Sequence, residues 1–146
     1  MTGSPVSDTA AMISGMRPVL DDDLYHFCAL PGRSDPAIAE ALAIFREDEG
    51  LSLILSERAA QRLGLPREMP MRRITLTVMS ALDGIGLTAA VAGVLAREGI
   101  PCNMVAAYHH DHVFVPAHLA GCALALLQDL AGSAQGGTWD DTGQRG

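Results

Sequence analysis

The side chains best suited to metal chemistry stand together in one short segment, His109, His110, Asp111 and His112. A zinc or nickel site needs three or four such ligands converging on one point. Neighbouring residues of a strand point to opposite faces, so only His110 and His112 can share a face. No cysteine lies nearby in the sequence. We interpret the segment as a tight turn with Asp111 at its tip, one histidine being available to line a groove or a dimer contact, and predict no metal site.

Catalytic patterns are also weak in this chain. It contains no GxSxG or HExxH motif and no carboxylate pair at a recognisable spacing. A nucleophilic pair of Cys102 with a histidine would need an orienting residue, and none is apparent. All ten basic residues are arginine, which excludes Schiff-base lysines, a pyridoxal anchor and a Walker-type phosphate lysine. We therefore predict no catalytic site and no cofactor.

A glycine-containing segment, SALDGIG, runs from Ser80 to Gly86 and leads into a predicted helix that begins near Leu87. The first N–H groups of a helix have no partner within it, and the helix dipole favours an anion there, so this turn can seat a carboxylate. Glycine lets the backbone approach a ligand closely. The alternative is a plain strand-to-helix turn in which Asp83 or Ser80 caps the helix.

The composition limits the classes of protein and partner. A chain of 146 residues with 49% hydrophobic and 18% charged residues forms one domain or two small ones and is not disordered. A net charge of −7 without a basic stripe argues against nucleic acid and anionic membranes as partners. The three scattered cysteines indicate buried free thiols in a reducing compartment. With no signal peptide at its start and no membrane-length apolar run, the chain is expected to be cytoplasmic.

Hydrophobic periodicity divides the chain into two similar halves. The first half is predicted to begin with a short helix capped by Asp8 and a strand over Leu24–Leu30. A helix led by Pro36 follows, with Ile38, Ala41 and Leu42 on one face. A hairpin then turns at Glu47–Gly50, and a helix capped by Ser56 ends at Gly64. The second half is predicted to contain a strand over Ile74–Met79, a helix from Leu87 to Gly99, and strands over Cys102–Tyr108 and Val113–Val115. Its last helix is opened by Pro116, and one face of it carries Leu119, Cys122, Leu126, Leu127 and Leu130.

Each half reads β-α-β-β-α, which is most of the split βαβ unit of ferredoxin-like folds. We therefore predict an α+β protein in which two tandem units form one compact α/β sandwich. The predicted divisions are an N-terminal segment with a short helix (1–16), a first half (17–70), a second half (71–131) and a mobile tail (132–146). The second half lacks an obvious closing strand, and either Arg17–Leu20 or Arg67–Arg73 can supply it.

One long stretch carries a family resemblance, RRITLTVMSALDGIGLTAAVAGVLAREGIPCNMVAAYHHDHVFVP. It resembles the ACT domain, and more closely a bacterial group of small stand-alone proteins with two ACT domains in tandem. The N-terminal MRPVL, the FREDEGLSLIL hairpin and the last helix also fit, so the resemblance covers Ile13 to Leu130. It implies a ferredoxin-like fold, side-by-side dimers and the sensing of small molecules, often amino acids. Aspartate kinase regulatory domains are relatives.

The resemblance also implies a site. In related ACT domains the equivalent glycine loop holds the main-chain atoms of the ligand, which would let Asp83 accept an α-ammonium and Thr88 add a hydroxyl. Asn103 resembles the asparagine of the G-I-N motif in aspartate kinase ACT domains, although this chain has G-I-P-C-N. The candidate ligand-binding residues are Ser80, Leu82, Asp83, Gly84, Ile85, Gly86, Leu87, Thr88 and Asn103.

We expect a non-catalytic regulatory protein that senses an amino acid or a related carboxylate at an interface between ACT units. The alternative is a protein-interaction module that needs no ligand. The strand face carrying Thr75, Thr77 and Met79 is too apolar for open water, which predicts a homodimer or a pseudo-dimer of the two halves within one chain.

Overall fold

The fold was analysed in a computed structural model that describes residues 9–78 and 84–136. The strands in these ranges are β1 (Pro18–Leu20), β2 (Tyr25–Leu30), β3 (Ala43–Glu47), β4 (Gly50–Ser56), β5 (Met71–Leu76), β6 (Asn103–Ala106) and β7 (Asp111–Pro116). The α-helices are α1 (Thr9–Gly15), α2 (Asp35–Glu40), α3 (Glu57–Arg62), α4 (Leu87–Arg97) and α5 (Ala120–Gly136), the last preceded by a 3-10 turn over Ala117–Leu119.

All of these strands join one antiparallel sheet with the order β3-β4-β2-β5-β7-β6. The short strand β1 lies beside β5, with Pro18 opposite Leu76 and Leu20 opposite Ile74. The closing strand of the second half therefore comes from Arg17–Leu20. Of the other candidate, Arg67–Arg73, the last three residues form the start of β5 itself.

The helices cover one face of the sheet. In the second half α1, α4 and α5 pack on the alternate residues of β5 and β7, among them Ile74, Leu76 and Val113, which are fully buried. In the first half α2 and α3 pack with small alanines on Leu53 and Leu55. Burial alternates as predicted from Ile74 to Leu76 of β5, whereas β4 and β7 bury consecutive residues, since Ile54 and Phe114 are buried on the other face.

An aromatic cluster joins the halves on the opposite, helix-free face. Phe114 of β7 is 1% exposed, and its ring meets Tyr25 at 5.8 Å and Phe27 at 5.4 Å, both edge to face. A groove of about 410 Å³ on this face is lined mainly by β2, β3 and β4 and also by Val105 of β6. Because these strands come from both ends of the sheet order, the helix-free face is concave.

Three local predictions were confirmed, namely a helix cap, a hairpin turn and a helix start. The amide of Ala59 donates to Ser56 Oγ at 3.1 Å, so Ser56 caps α3 as predicted. The hairpin of β3 and β4 turns at Glu47–Gly50, and α4 covers the predicted helix from Leu87. No helix within the described ranges is long and apolar enough to cross a membrane.

The prediction for the second helix was wrong in its extent. It ends at Glu40, since Ala41 has extended backbone angles. Leu42 is 45% exposed, and Ala37 is the residue that this helix buries. A helix of six residues makes too few turns to carry the stripe that the spacing of Ile38, Ala41 and Leu42 suggested.

The prediction for the last helix was right for its leucines and wrong for Cys122 and for its end. Leu127 is fully buried, and Leu119, Leu126 and Leu130 pack against the core beside the buried alanines Ala120, Ala123 and Ala131. Cys122 is exposed and Cys102 half-buried, so of the three free thiols only Cys28 lies in the core as expected. The helix continues to Gly136, past the predicted start of the tail at Gly132.

Phe114→Ala is expected to lower the free energy of unfolding by about 3–5 kcal/mol, because it opens a cavity between the two halves. Tyr108→Ala is the matched control, since Tyr108 is 77% exposed and should cost less than about 0.5 kcal/mol. Urea unfolding followed by circular dichroism measures both. A loss below about 1 kcal/mol for Phe114→Ala would show that the cluster does not hold the halves together.

Candidate functional site

A cavity of about 400 Å³ lies at the N-terminus of α4. Its walls come from α1 through Met12, from the glycine segment and first turns of α4, and from the β6–β7 hairpin through Ala106, Ala107 and Asp111. The cavity therefore lies where the N-terminal helix meets the second half. Of the predicted site residues it contains Gly84, Gly86, Leu87 and Thr88.

The start of α4 presents to this cavity amide donors that have no partner among residues 9–78 and 84–136. The carbonyl of Gly86 accepts from the amide of Ala90 at 2.9 Å, which is the first bond of the helix. The amides of Leu87, Thr88 and Ala89 therefore precede the helical hydrogen-bond ladder, and Gly86 as N-cap has no side chain to accept from them. All three residues line the cavity, so the helix start offers it positive partial charge.

Gly86 is required by its backbone and by its neighbour. Its φ of 101° is in the left-handed region, and a Cβ there would lie 2.8 Å from Thr9 Cγ2. The Thr9 hydroxyl also donates to the carbonyl of Ile85. Helix α1 is thus tied directly to the glycine segment at the mouth of α4.

Asp111 is the residue that the sequence analysis misplaced. Asp111 is not at the tip of a turn but in β7, opposite Leu76 of β5 and Ala106 of β6. The turn lies before Asp111 and is closed by the amide of Ala107, which donates to the carbonyl of His110 at 3.1 Å. The alternation of Val113 and Val115 on the helix-covered face, extended back by two residues, would have placed Asp111 there.

The carboxylate of Asp111 has an unusual environment. The residue is 8% exposed and lines the cavity, and within the described ranges no group donates a hydrogen bond to its carboxylate. Burial raises the pKa of this carboxyl above its ordinary value, although the nearby His112 and His110 oppose the shift. Its oxygens keep some access to solvent through the cavity, and a cationic group that enters the cavity would find an acceptor there.

His112 does not line the cavity with this acid. His112 points to the helix-free face, where its Nδ1 lies 3.0 Å from Thr75 Oγ1. Burial first, and then the charge of Arg73, lower the pKa of His112. Among residues 9–78 and 84–136, no three His, Cys, Asp or Glu side chains are placed to hold a metal ion.

Of the remaining predicted residues that the structure describes, Asn103 and Ile85 do not line the cavity. Asn103 is on β6, opposite Phe114 of β7. Its Nδ2 is 3.8 Å from Met71 Sδ, on the helix-free face. Ile85 is 79% exposed. Ser80, Leu82 and Asp83 lie outside the described residues.

Two family models, each described as an ACT domain, match residues 4–72 and 69–129. The chain belongs to the ACT domain family. A protein of unknown function from Vibrio cholerae, whose description adds a possible transport role, is 40% identical over 84% of this chain and 94% of its own, with a TM-score of 0.75.

More distant structures share the fold. The regulatory subunit of aspartate kinase from Thermus thermophilus is 14% identical over 77% of this chain and 95% of its own, with a TM-score of 0.58. A protein from Agrobacterium tumefaciens is 18% identical over 80% of this chain and 89% of its own, with a TM-score of 0.65. No curated protein matches. The predicted ferredoxin-like tandem ACT fold is confirmed.

Asp111→Asn is expected to remove a pH-dependent loss of stability. The pKa of the Asp111 carboxyl is raised in the folded protein, so above about pH 4 this carboxyl ionises in the unfolded chain before it ionises in the native protein. The free energy of unfolding therefore falls as the pH rises, until the pH passes the pKa of the folded state. The melting temperature of the variant should therefore gain on wild type between about pH 3 and pH 7. Asp129→Asn, on the exposed side of α5, is the control. A variant that loses ground at pH 7 would show that Asp111 has a structural partner.

Proposed function

We propose that this ACT protein is a non-catalytic sensor of a small amino acid or related zwitterion, bound at the N-terminus of α4. The cavity lies in the second ACT unit and is closed by α1, which comes from the N-terminal part of the chain and packs on α4 and α5. ACT domains serve regulation, as in the regulatory subunit of aspartate kinase from Thermus thermophilus, and the cavity suits that role.

One observation carries the proposal. Amide donors and a largely buried carboxylate, for which the described residues supply no partner, line the same cavity, the donors from Leu87, Thr88 and Ala89 and the carboxylate from Asp111. A zwitterion has a carboxylate for the first and an ammonium for the second. Its binding would supply partners to groups that the protein leaves without any among the described residues.

Three of the residues predicted from the family resemblance, Thr88, Asp83 and Asn103, are less important for the proposed ligand contacts than Asp111 and the helix amides. Thr88 lines the cavity, and we propose that its hydroxyl adds a hydrogen bond to the ligand carboxylate. We propose Asp83 as a second acceptor for the ammonium, beside Asp111. Asn103 is not needed for the ligand held here, since its amide lies against Met71.

Catalysis has no support in the described walls of the cavity. They contain no cysteine or histidine, and their one hydroxyl, that of Thr88, has no general base beside it other than the acid that we assign to the ligand's ammonium. The free thiols suit a reducing compartment, and we place the protein in the cytoplasm.

Thermal-shift screening with the twenty amino acids tests the sensor. At a concentration 100-fold above its Kd, a ligand should add about 2.7 kcal/mol of stability. Asp111→Asn should lose at least tenfold in affinity, because the ammonium loses its acceptor, while Asp129→Asn should bind as wild type. If no amino acid shifts the transition, the sensor proposal is wrong.

We also propose that the helix-free face forms a homodimer. Large apolar side chains remain exposed on it, Phe45 at 71%, Phe27 at 46% and Val19 at 53%. Thr75, which the sequence analysis placed at this interface, is on the same face, and Met79 lies outside the described residues. Pairing of the two halves within the chain leaves these aromatic residues uncovered, so it does not replace a second copy.

Light scattering should give twice the chain mass of 15.3 kDa at micromolar concentration. Phe45→Asp should return the mass to that of one chain, because it places a charge in the apolar patch. Tyr108→Asp, at the far hairpin, should leave the dimer intact. A wild-type mass of one chain at high concentration contradicts the dimer. A dimer without any amino-acid binding would instead support the interaction module.

A further inference from the structure

The helix-free face, on which we propose the homodimer to form, carries a histidine between its apolar side chains. Strand pairing aligns four residues in one row across the sheet, Val19 of β1, Thr75 of β5, His112 of β7 and Val105 of β6. Side chains of one cross-strand row share a face. Val19 is 53% exposed and Val105 lines the apolar groove, so His112 lies within the patch that a second copy would cover.

His112 is half-buried in this row even before a second copy packs on it. Its Nδ1 lies 3.0 Å from Thr75 Oγ1. A neutral imidazole suits this contact, since the hydroxyl can donate to a bare ring nitrogen or accept from a protonated one. A second copy that covers the row would take the ring further out of water, which disfavours its charged form.

The charged groups around His112 also act on its protonation. After burial, which is the largest cause, Arg73 on the same face of β5 lowers the pKa of His112, and His110 lowers it further. Asp111, on the other face of β7, opposes them, and β6 contributes no charged residue. Arg73 Nη2 donates to Asp21 Oδ2 at 2.6 Å, but its buried Nε has no partner among the described residues. A proton on His112 would therefore place a second cation beside one that is only partly compensated.

We infer that the homodimer is sensitive to pH, and that protonation of His112 separates the two copies. This inference rests on the proposed homodimer, because it concerns the same face, and it adds the regulation of that assembly. The overall charge of the chain acts in the opposite direction. Acidification reduces the net charge of −7 and with it the repulsion between two copies, so weaker pairing in acid would identify a group within the interface.

Proton binding and dimer formation oppose each other at His112. The free chain binds the proton and the dimer excludes it, so the dissociation constant rises as the pH falls below the pKa of His112 in the free chain. Because that pKa is lowered, the rise begins on the acid side of about pH 6.5, the ordinary value for histidine. With one His112 from each copy, the increase approaches about 100-fold for each pH unit.

Sedimentation equilibrium at pH 8, pH 6 and pH 5 measures the dissociation constant of the wild-type dimer. The dimer should be at least fivefold weaker at pH 5 than at pH 8. A dimer that is equally tight at both values would overturn this inference and leave the proposed homodimer intact. A wild-type chain that is monomeric at pH 8 would contradict both, while the amino-acid sensor is tested separately by thermal shift.

Two variants assign the effect to this side chain. His112→Asn keeps an amide near the place of Nδ1, where it can hydrogen-bond Thr75 without a charge, so its dimer should be as tight at pH 5 as at pH 8. His112→Arg is charged throughout and should have the mass of one chain at pH 8, with circular dichroism checking that it is folded. His118→Asn, at an exposed position before α5, should keep the pH dependence of wild type. A dimeric His112→Arg, or a His112→Asn dimer that still weakens in acid, would exclude His112 as the titrating group.

Discussion

The pairing of β1 with β5 is the constraint on which the rest of the structure depends. Without β1, the edge of β5 beside β2 would be open over Ile74–Leu76, since β2 pairs with β5 only at Tyr25 and Met71. Because β1 pairs with β5, helix α1, which precedes β1, packs on α4 and α5. There it completes the core and forms one wall of the cavity. The second ACT unit is therefore finished by residues that precede the first.

A polar cluster fixes the chain where it leaves β1 and turns towards the first unit. Arg73 Nη2 donates to Asp21 Oδ2 at 2.6 Å, and the hydroxyl of Tyr25 donates to the same oxygen at 2.7 Å. Burial alone would raise the pKa of Asp21, but these bonds and the amide of Asp23 hold it below its ordinary value. Burial and the bond to Asp21 raise the pKa of Tyr25 to about 12. The cluster contrasts with Asp111, a buried acid for which the described residues supply no donor.

The sequence was informative where an element depends on its own residues and weak where it depends on distant ones. The Ser56 cap, the hairpin at Glu47–Gly50 and the alternating burial of β5 follow from local chemistry and periodicity. The three residues of β1 are too few to show a period, so only their register with β5 identifies them as the closing strand. The face of Asn103 depends on the pairing of β6 with β7, which the extra residues in G-I-P-C-N left undetermined.

The two ACT units repeat one architecture but do not offer equal sites. Helix α2, which corresponds to α4, begins with an acidic residue and a proline, so Asp35 already places negative charge at its N-terminus and Pro36 has no N–H to donate. Arg33 pairs with this same Asp35 at 2.8 Å. An anionic group is therefore disfavoured there, whereas α4 begins after a glycine and has no acid in its first turn. Of these two corresponding helix starts, that of α4 is therefore the one suited to the ligand carboxylate that we propose.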